Sequence, residues 1–381
     1  MIEFFDYENL RIIWWILLGI LLIGFAIMDG FDLGTAILLP FIAKTDIERR
    51  ILLNSVGPVW DGNQVWFILG GGAIFAAWPL VYAVSFSGFY FAMFLILIAL
   101  ILRPVGFDYR SKINNKNWRN FWDYSLFFSG LVPSLVFGVA IGNIFHGVKF
   151  DFNEMMMIKN EIGFFELFTP LSLICGLLSI TLLTTQGACF LAIKTDKIIY
   201  QRIKKVLKFL PILNIIFYAI GGLILAKISG YIISSPIIGS GESNPLAKKV
   251  IIENGAWLKN YQNYKWMIIA PILGFAGQFL TIIFSFYKQD LKAFIANSLS
   301  IFGIISSVGL SVFPFILPSS LNPNASLTVW DASSSYQTLV VMLIATIIFL
   351  PIVLAYTSFV FAVLRGKVTE KNIEQDSNFL Y

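Results

Sequence analysis

The stretch from Ile12 to Ala43, IIWWILLGILLIGFAIMDGFDLGTAILLPFIA, is apolar except for the carboxylates of Asp29 and Asp32. About 20 apolar residues are enough for a helix to cross the hydrocarbon core of a bilayer. An aspartate at the centre of such a helix costs about 2.5–3.5 kcal/mol of insertion free energy, and each Leu, Ile, Phe or Val returns about 0.3–0.6 kcal/mol. The run holds enough apolar side chains to offset both acids. We therefore predict a transmembrane helix that carries two carboxylates.

These two acids favour a functional role over a structural one. Asp29 and Asp32 are three residues apart, so they share one face of the helix. Carboxylates inside a membrane helix usually belong to an ion or proton route, or they pair with a buried cation. The structural alternative is a buried ion pair or a hydrogen-bonded contact between helices.

The whole chain has the composition of a polytopic membrane protein. It is 57% hydrophobic and only 13% charged, with a mean hydropathy of +0.79, whereas soluble domains carry about 25% charged residues. The first apolar run lacks a small-residue cleavage site and is longer than a signal-peptide core, so we expect it to be retained. The net charge of +5 is spread over loops, and this distribution does not indicate nucleic-acid binding.

Apolar segments predict an all-α integral membrane protein, one polytopic domain over residues 1–381, with about nine transmembrane helices in bundles. Basic residues are concentrated in the connections after the first, third, fifth, seventh and ninth segments, although the long sixth connection also contains lysines. The positive-inside rule then places the N-terminus outside and the C-terminus in the cytoplasm. The approximate cores are 13–41, 58–79, 82–105, 122–145, 165–192, 205–232, 264–287, 292–316 and 337–363.

This orientation puts several polar side chains near the cytoplasmic face. The second helix begins there, and its Asp61 lies about one turn inside it. A carboxyl group in this place could take up protons, and neighbouring amides could bind water; the alternative is that Asp61 caps the helix. Arg103, near the inner end of the third helix, is expected to snorkel towards the interface. The predicted proton pathway contains four acids and two amides: Asp29, Asp32, Asp61, Asp108, Asn63 and Gln64.

Histidine and cysteine usage excludes several kinds of site. His146 is the only histidine, whereas a haem–copper centre or a series of bis-histidine haems needs several imidazoles. Cys175 and Cys189 are 14 positions apart on one predicted helix, a separation of about 21 Å that excludes a disulfide between them. No metal site is predicted in this chain.

Several motifs together resemble subunit II of cytochrome bd-type quinol oxidases. They extend from the first predicted helix to the last connection, so the resemblance covers essentially the whole chain. The motifs are MDGFDLG at 28–34, WDGNQVW at 60–66, FAAWP at 75–79, RPVGFDYR at 103–110, TQGA at 185–188, FPF at 313–315, PSS at 318–320, NASLT at 324–328 and WDA at 330–332.

The resemblance implies a heterodimer with subunit I in a bacterial inner membrane. Subunit I would carry haems b and d, oxidise quinol and reduce oxygen to water in an electrogenic reaction. This chain would hold no haem, would support subunit I, and would help to conduct protons from the cytoplasm. Asp61 matches the acidic position proposed for that route. The resemblance leaves open a quinone bound in this chain and a small accessory subunit.

Two alternatives come from other classes of protein. An ion-coupled secondary transporter could use Asp29 and Asp32 as coupling residues, but the matched pair of broken helices typical of such folds is not evident. A purely structural subunit would hold its acids in buried ion pairs. Catalytic turnover of acid variants in the intact complex distinguishes the structural alternative from proton conduction.

Overall fold

A computed structural model describes residues 6–375, and long helices account for most of them. Short 3₁₀ helices and three pairs of short strands occupy the connections. The helices are α1 (Tyr7–Ile42), α2 (Asp46–Val56), α3 (Trp60–Ala77), α4 (Pro79–Gly88), α5 (Tyr90–Tyr109), α6 (Lys116–His146), α7 (Pro170–Lys194), α8 (Lys197–Leu225), α9 (Lys259–Asn263), α10 (Ile269–Phe286), α11 (Asp290–Val312), α12 (Tyr336–Val363) and α13 (Glu370–Gln375). The strands are β1 (Phe150–Phe152), β2 (Ile158–Asn160), β3 (Ser229–Ile233), β4 (Val250–Asn254), β5 (Phe315–Leu317) and β6 (Leu327–Thr328).

Within the described residues, eight helices are long and apolar enough to cross a membrane, which confirms the predicted helical membrane protein. The segment predicted as the second span forms α3, which is not among the eight; its first turn carries Asp61, Asn63 and Gln64, and these polar side chains lower its hydropathy. The predicted third span is divided between α4 and α5, which meet at Phe89. The count of nine spans and the orientation of the termini stay predictions.

The connections richest in basic residues meet at one end of the helices, here called the basic end. Arg110, at the end of α5, forms an ion pair with Asp46 of α2 at 2.9 Å. Arg202 of α8 forms another with Glu48 of α2 at 2.8 Å. The connections α1–α2, α5–α6 and α7–α8 therefore lie together. This grouping agrees with the alternation of charge along the sequence.

The opposite end of the helices is built from β hairpins, which the sequence did not predict. Strands β1 and β2, β3 and β4, and β5 and β6 form three antiparallel pairs. The first and third hairpins are connected through Val148, whose amide donates to the carbonyl of Pro318 at 2.8 Å. We call this the hairpin end.

Glycines allow α1 and α6 to pack closely against α7. A Cβ atom on Gly34 of α1 would overlap the backbone of Leu183 on α7. On α6, a Cβ on Gly138 would overlap the backbone at Cys175, and one on Gly142 would overlap Ser172. These glycines therefore allow the backbones of α1 and α6 to approach α7 closely, as small residues do in membrane helices.

A buried amide network links α7, α8, α10 and α11 and holds α1 in register. Asn297 donates to Gln186 at 2.7 Å, Gln278 donates to Asn297 at 2.9 Å, and Asn214 donates to Gln278 at 3.1 Å. Gln186 also donates to the backbone carbonyl of Ile27 at 3.3 Å. The bond to Ile27 fixes the position of α1 two residues before Asp29, the first buried carboxylate of that helix.

Candidate functional site

The first buried carboxylate, Asp29 of α1, forms an ion pair with Arg103 of α5. Arg103 Nη1 lies 2.6 Å from Asp29 Oδ1, and Nη2 lies 3.3 Å from Oδ2. The side chain of Asp29 is 1% exposed and that of Arg103 is 2% exposed. The paired geometry suits the planar guanidinium. The expectation that Arg103 snorkels is therefore wrong, because a buried carboxylate within reach offsets the loss of hydration that burial costs the guanidinium.

The second buried carboxylate, Asp32, is held by an amide rather than by a cation. Asn63, in the first turn of α3, donates through Nδ2 to Asp32 Oδ2 at 2.8 Å. Asp32 is 4% exposed and Asn63 is 2% exposed. The other oxygen, Asp32 Oδ1, has no hydrogen-bond partner among the described residues. Asp29, Asp32, Asn63 and Arg103 thus form one buried cluster between α1, α3 and α5.

This cluster contains the contacts that the structural alternative requires: an ion pair at Asp29 and a hydrogen bond between helices at Asp32. It also leaves an imbalance of charge, since two carboxyl groups share one guanidinium. A second charge without a counterion is costly inside a membrane protein. The imbalance is what distinguishes this cluster from a simple ion pair.

The other predicted pathway residues lie outside the buried cluster. Asp61 is exposed in the first turn of α3, two residues before Asn63, and Gln64 is half-buried. The N-cap residue of α3 is Val59, and no side chain caps that helix end. Asp61 therefore does not fill the N-cap position that the helix-cap alternative gave it.

Asp108 is exposed at the end of α5, beside an open cavity. The cavity has a volume of about 600 Å³ and is also lined by Tyr109, Lys112, Ile113 and Trp118. Its position near Arg110 places it at the basic end of the molecule. Asp108 thus shares that end with α2, and among the described residues it forms no hydrogen bond or ion pair with the Asp32 cluster.

A much smaller cavity adjoins Asp32 on the side of α2. The space open to the centre of a water molecule is about 10 Å³. Thr35, one helical turn after Asp32, is one of the residues that line this cavity and is 1% exposed. Neither the hydroxyl of Thr35 nor the role of Arg103 was found from the sequence. The sequence did contain a feature that could have indicated the ion pair of Arg103. A guanidinium lies in an apolar helix of a chain that also places two carboxylates in the membrane.

The histidine and the cysteines do not assemble into a site within residues 6–375. His146 ends α6 and is half-buried. Cys175 and Cys189 are both free thiols. In the same range, no group of three or more His, Cys, Asp or Glu side chains could hold a metal ion.

Comparisons with known proteins agree over nearly the whole chain. The family model described as cytochrome bd terminal oxidase subunit II matches residues 10–364. The chain is 44% identical to "Cytochrome bd-I ubiquinol oxidase subunit 2" of Escherichia coli K12, over 99% of this chain and 100% of that protein. It is 45% identical to "Probable cytochrome oxidase subunit 2" of Haemophilus influenzae, with the same coverage of both chains.

A solved structure shares the fold. The bd oxidase from Geobacillus thermodenitrificans contains a chain that superposes with a TM-score of 0.69, at 17% identity, covering 93% of this chain and 98% of that one. None of these comparisons favours a secondary transporter. The motifs found in the sequence and the matches to relatives point to the same group of oxidoreductase subunits. The chain belongs to the cytochrome bd terminal oxidase subunit II family.

Proposed function

We propose that this chain is the haem-free subunit II of a quinol oxidase in a bacterial inner membrane. Its partner, subunit I, carries haems b and d, oxidises quinol and reduces oxygen to water. Family membership supports this assignment, as does a sequence with a single histidine, which leaves this chain too few imidazoles for several haem sites. This chain supports subunit I and contributes to proton uptake from the cytoplasm.

The proposed orientation places the basic end in the cytoplasm. The connections that meet there, taken together with the helix ends that flank them, carry more lysines and arginines than the hairpin end, and short basic connections stay on the cytoplasmic side. Asp61, at the start of α3, then lies near the cytoplasmic surface. Asp29 and Asp32 lie deeper along α1.

The outer face of α3 indicates where protons would go. Asp61 begins an exposed stripe on that helix, which continues through Val65, Ile68 and Phe75 at helical spacing. An apolar stripe of this kind faces lipid or a partner subunit. If subunit I covered this stripe, Asp61 would lie at the cytoplasmic edge of the contact, where it could take up protons from water and pass them to subunit I.

The observation that carries the proton role is the hydrogen bond between Asn63 and Asp32. It joins the turn that bears exposed Asp61 to a buried acid. Because Arg103 is already paired with Asp29, a proton on Asp32 removes the uncompensated charge of the cluster. Asp32 can therefore gain and lose a proton beside the start of α3. Asn63, Gln64 and Asp108 would orient water along the same route.

The test is quinol-oxidase turnover by the assembled complex. Asp61→Asn and Asp32→Asn keep size and most hydrogen bonding but remove the titratable proton, so turnover should fall strongly while the haem spectrum stays normal. Asp196→Asn, at the basic end before α8, is the matched control and should turn over as wild type. If both pathway variants assemble fully and match this control, the acids are structural and the proton role is excluded.

A further inference from the structure

The small cavity beside Asp32 is enclosed by α1, α2, α5 and α6. Its volume of about 10 Å³ for the centre of a water molecule is close to the minimum of about 10–15 Å³ that one water needs. Most of its wall is apolar, and its polar atoms come from three side chains. The lining residues are Asp32, Thr35, Ala36, Leu53, Val56, Arg103, Phe107 and Leu126.

Two polar atoms of residues that line the cavity have no hydrogen-bond partner among residues 6–375: Asp32 Oδ1 and Thr35 Oγ1. Their residues are 4% and 1% exposed, and buried polar atoms almost always have partners. Thr35 also lacks the hydrogen bond that a threonine hydroxyl in a helix can donate to the backbone carbonyl one turn earlier. Thr184 of α7, for comparison, donates its hydroxyl to the carbonyl of Ile180 at 2.6 Å, whereas the hydroxyl of Thr35 makes no such bond.

The spacing of the two residues explains how they could share one ligand. Asp32 and Thr35 are three residues apart on α1, so their side chains lie on the same face. Asp32 Oδ2 is already occupied by Asn63, which leaves Oδ1 for the cavity. A water molecule can donate and accept at once, and so can a threonine hydroxyl.

We propose that one water molecule bridges Asp32 Oδ1 and Thr35 Oγ1, and that Thr35 is a positioning residue for proton transfer at Asp32. This inference rests on the proposed function. Leu53 and Val56 of α2, a helix that belongs to the basic end, form part of the cavity wall. The bridging water therefore stands on the side from which protons arrive, and the Thr35 hydroxyl fixes its orientation. The proton moves from this water to Asp32 Oδ1, and the water is reprotonated from the cytoplasmic side.

The variants that test this proposal change only the hydroxyl. Thr35→Val keeps the shape of the side chain and removes the bridge, so turnover should fall about fivefold, the equivalent of about 1 kcal/mol for one hydrogen bond. Thr35→Ser keeps the hydroxyl and should restore turnover. Thr184→Val is the matched control, because it removes a membrane-buried threonine hydroxyl that lies outside the cavity, and it should behave as wild type.

Infrared spectroscopy gives a readout that a structural role would not move. The carboxyl band of Asp32, identified as the band that Asp32→Asn removes, should shift in Thr35→Val and stay in place in Thr184→Val. Unchanged turnover together with an unshifted band in Thr35→Val overturns the inference. If Asp32→Asn still slows turnover in that case, the proposed function stands and only the bridge fails. If Asp32→Asn has no effect either, the proposed proton role of Asp32 fails with the bridge.

A cryo-EM map of the wild-type complex tests the same point without any substitution. Density for a water within hydrogen-bond distance of both Asp32 Oδ1 and Thr35 Oγ1 is the expected result. A well-resolved map in which these two oxygens contact only protein atoms overturns the inference, even if Thr35→Val fails to assemble.

Discussion

The ion pair between Asp29 and Arg103 can be broken by removing either partner. Arg103→Met keeps most of the side-chain volume but leaves two carboxyl groups, at Asp29 and Asp32, without a cation. Removing one partner of a buried pair usually costs about 3–5 kcal/mol, because the remaining charge is buried and uncompensated. The exposed fractions of 2% and 1% at Arg103 and Asp29 put this pair in that class. Arg103→Lys should recover only part of the loss, since an ammonium cannot reproduce the paired geometry.

The assay is unfolding of the purified complex in detergent by titration with sodium dodecyl sulfate, with the yield of assembled complex as a second readout. Arg119→Met is the matched control: Arg119 pairs with Asp46 at 2.9 Å, but their side chains are 26% and 39% exposed, so its loss should cost about 0–1 kcal/mol. The double variant Asp29→Asn with Arg103→Met should lose less than the sum of the two single losses. If Arg103→Met unfolds and assembles like Arg119→Met, the buried pair does not stabilise the fold and the reasoning is refuted.

Three further predictions concern the fold and the haems. Burial would raise the pKa of Glu48, but hydrogen bonds from backbone amides and from Arg202 outweigh burial and hold that pKa below its usual 4.5. The ionised carboxylate of Glu48 therefore stabilises the folded protein. This stabilisation is complete above pH 4.5 and is lost as the pH falls through the folded-state pKa. Unfolding titrations at several pH values should therefore show Glu48→Gln less stable than wild type at neutral pH, with the difference vanishing in acid, and a pH-independent difference would contradict this. Gly187→Ala should reduce the yield of assembled complex, because its Cβ would lie 2.5 Å from the carbonyl carbon of Gly34. Gly72→Ala, where a Cβ meets open space, is the control. Equal yields of the two variants would show that α1 and α7 can move apart without a loss of stability. This chain expressed alone should show no haem in its visible spectrum, whereas co-expression with its partner should give b-type and d-type haem bands; stoichiometric haem on the isolated chain would overturn the proposed division of roles.

Hydropathy predicted the parts of the fold that depend on the chain alone. A run such as Ile12–Ala43 has few alternatives to a membrane helix, because backbone groups in hydrocarbon must bond within their own segment. The break at Phe89 between α4 and α5 was missed because residues on both sides of it are equally apolar. The hairpins were missed because their strands are two to five residues long, too short for a clear alternating pattern.

The site was harder to predict, because its contacts depend on which faces of separate helices meet. The sequence identified Asp29 and Asp32 as unusual but could not show that α5 turns Arg103 towards Asp29. Snorkelling and pairing are both reasonable for an arginine near a helix end, and only the packing of α1 against its neighbours decides between them. Similarly, the sequence grouped Asp61 with the other acids, whereas Asp61 lies on the exposed face of α3.

Proton-uptake kinetics of the Asp61→Asn complex show directly whether Asp61 lies on the route of proton uptake. The assembled and fully reduced complex is mixed with oxygen, and a pH-sensitive dye follows proton uptake from the medium while the haem absorbance follows oxygen reduction. If Asp61 lies on that route, the variant should show a normal haem spectrum, normal oxygen binding and strongly slowed proton uptake. Uptake at the wild-type rate in a fully assembled Asp61→Asn complex would show that protons reach the oxygen-reducing site without this carboxyl group.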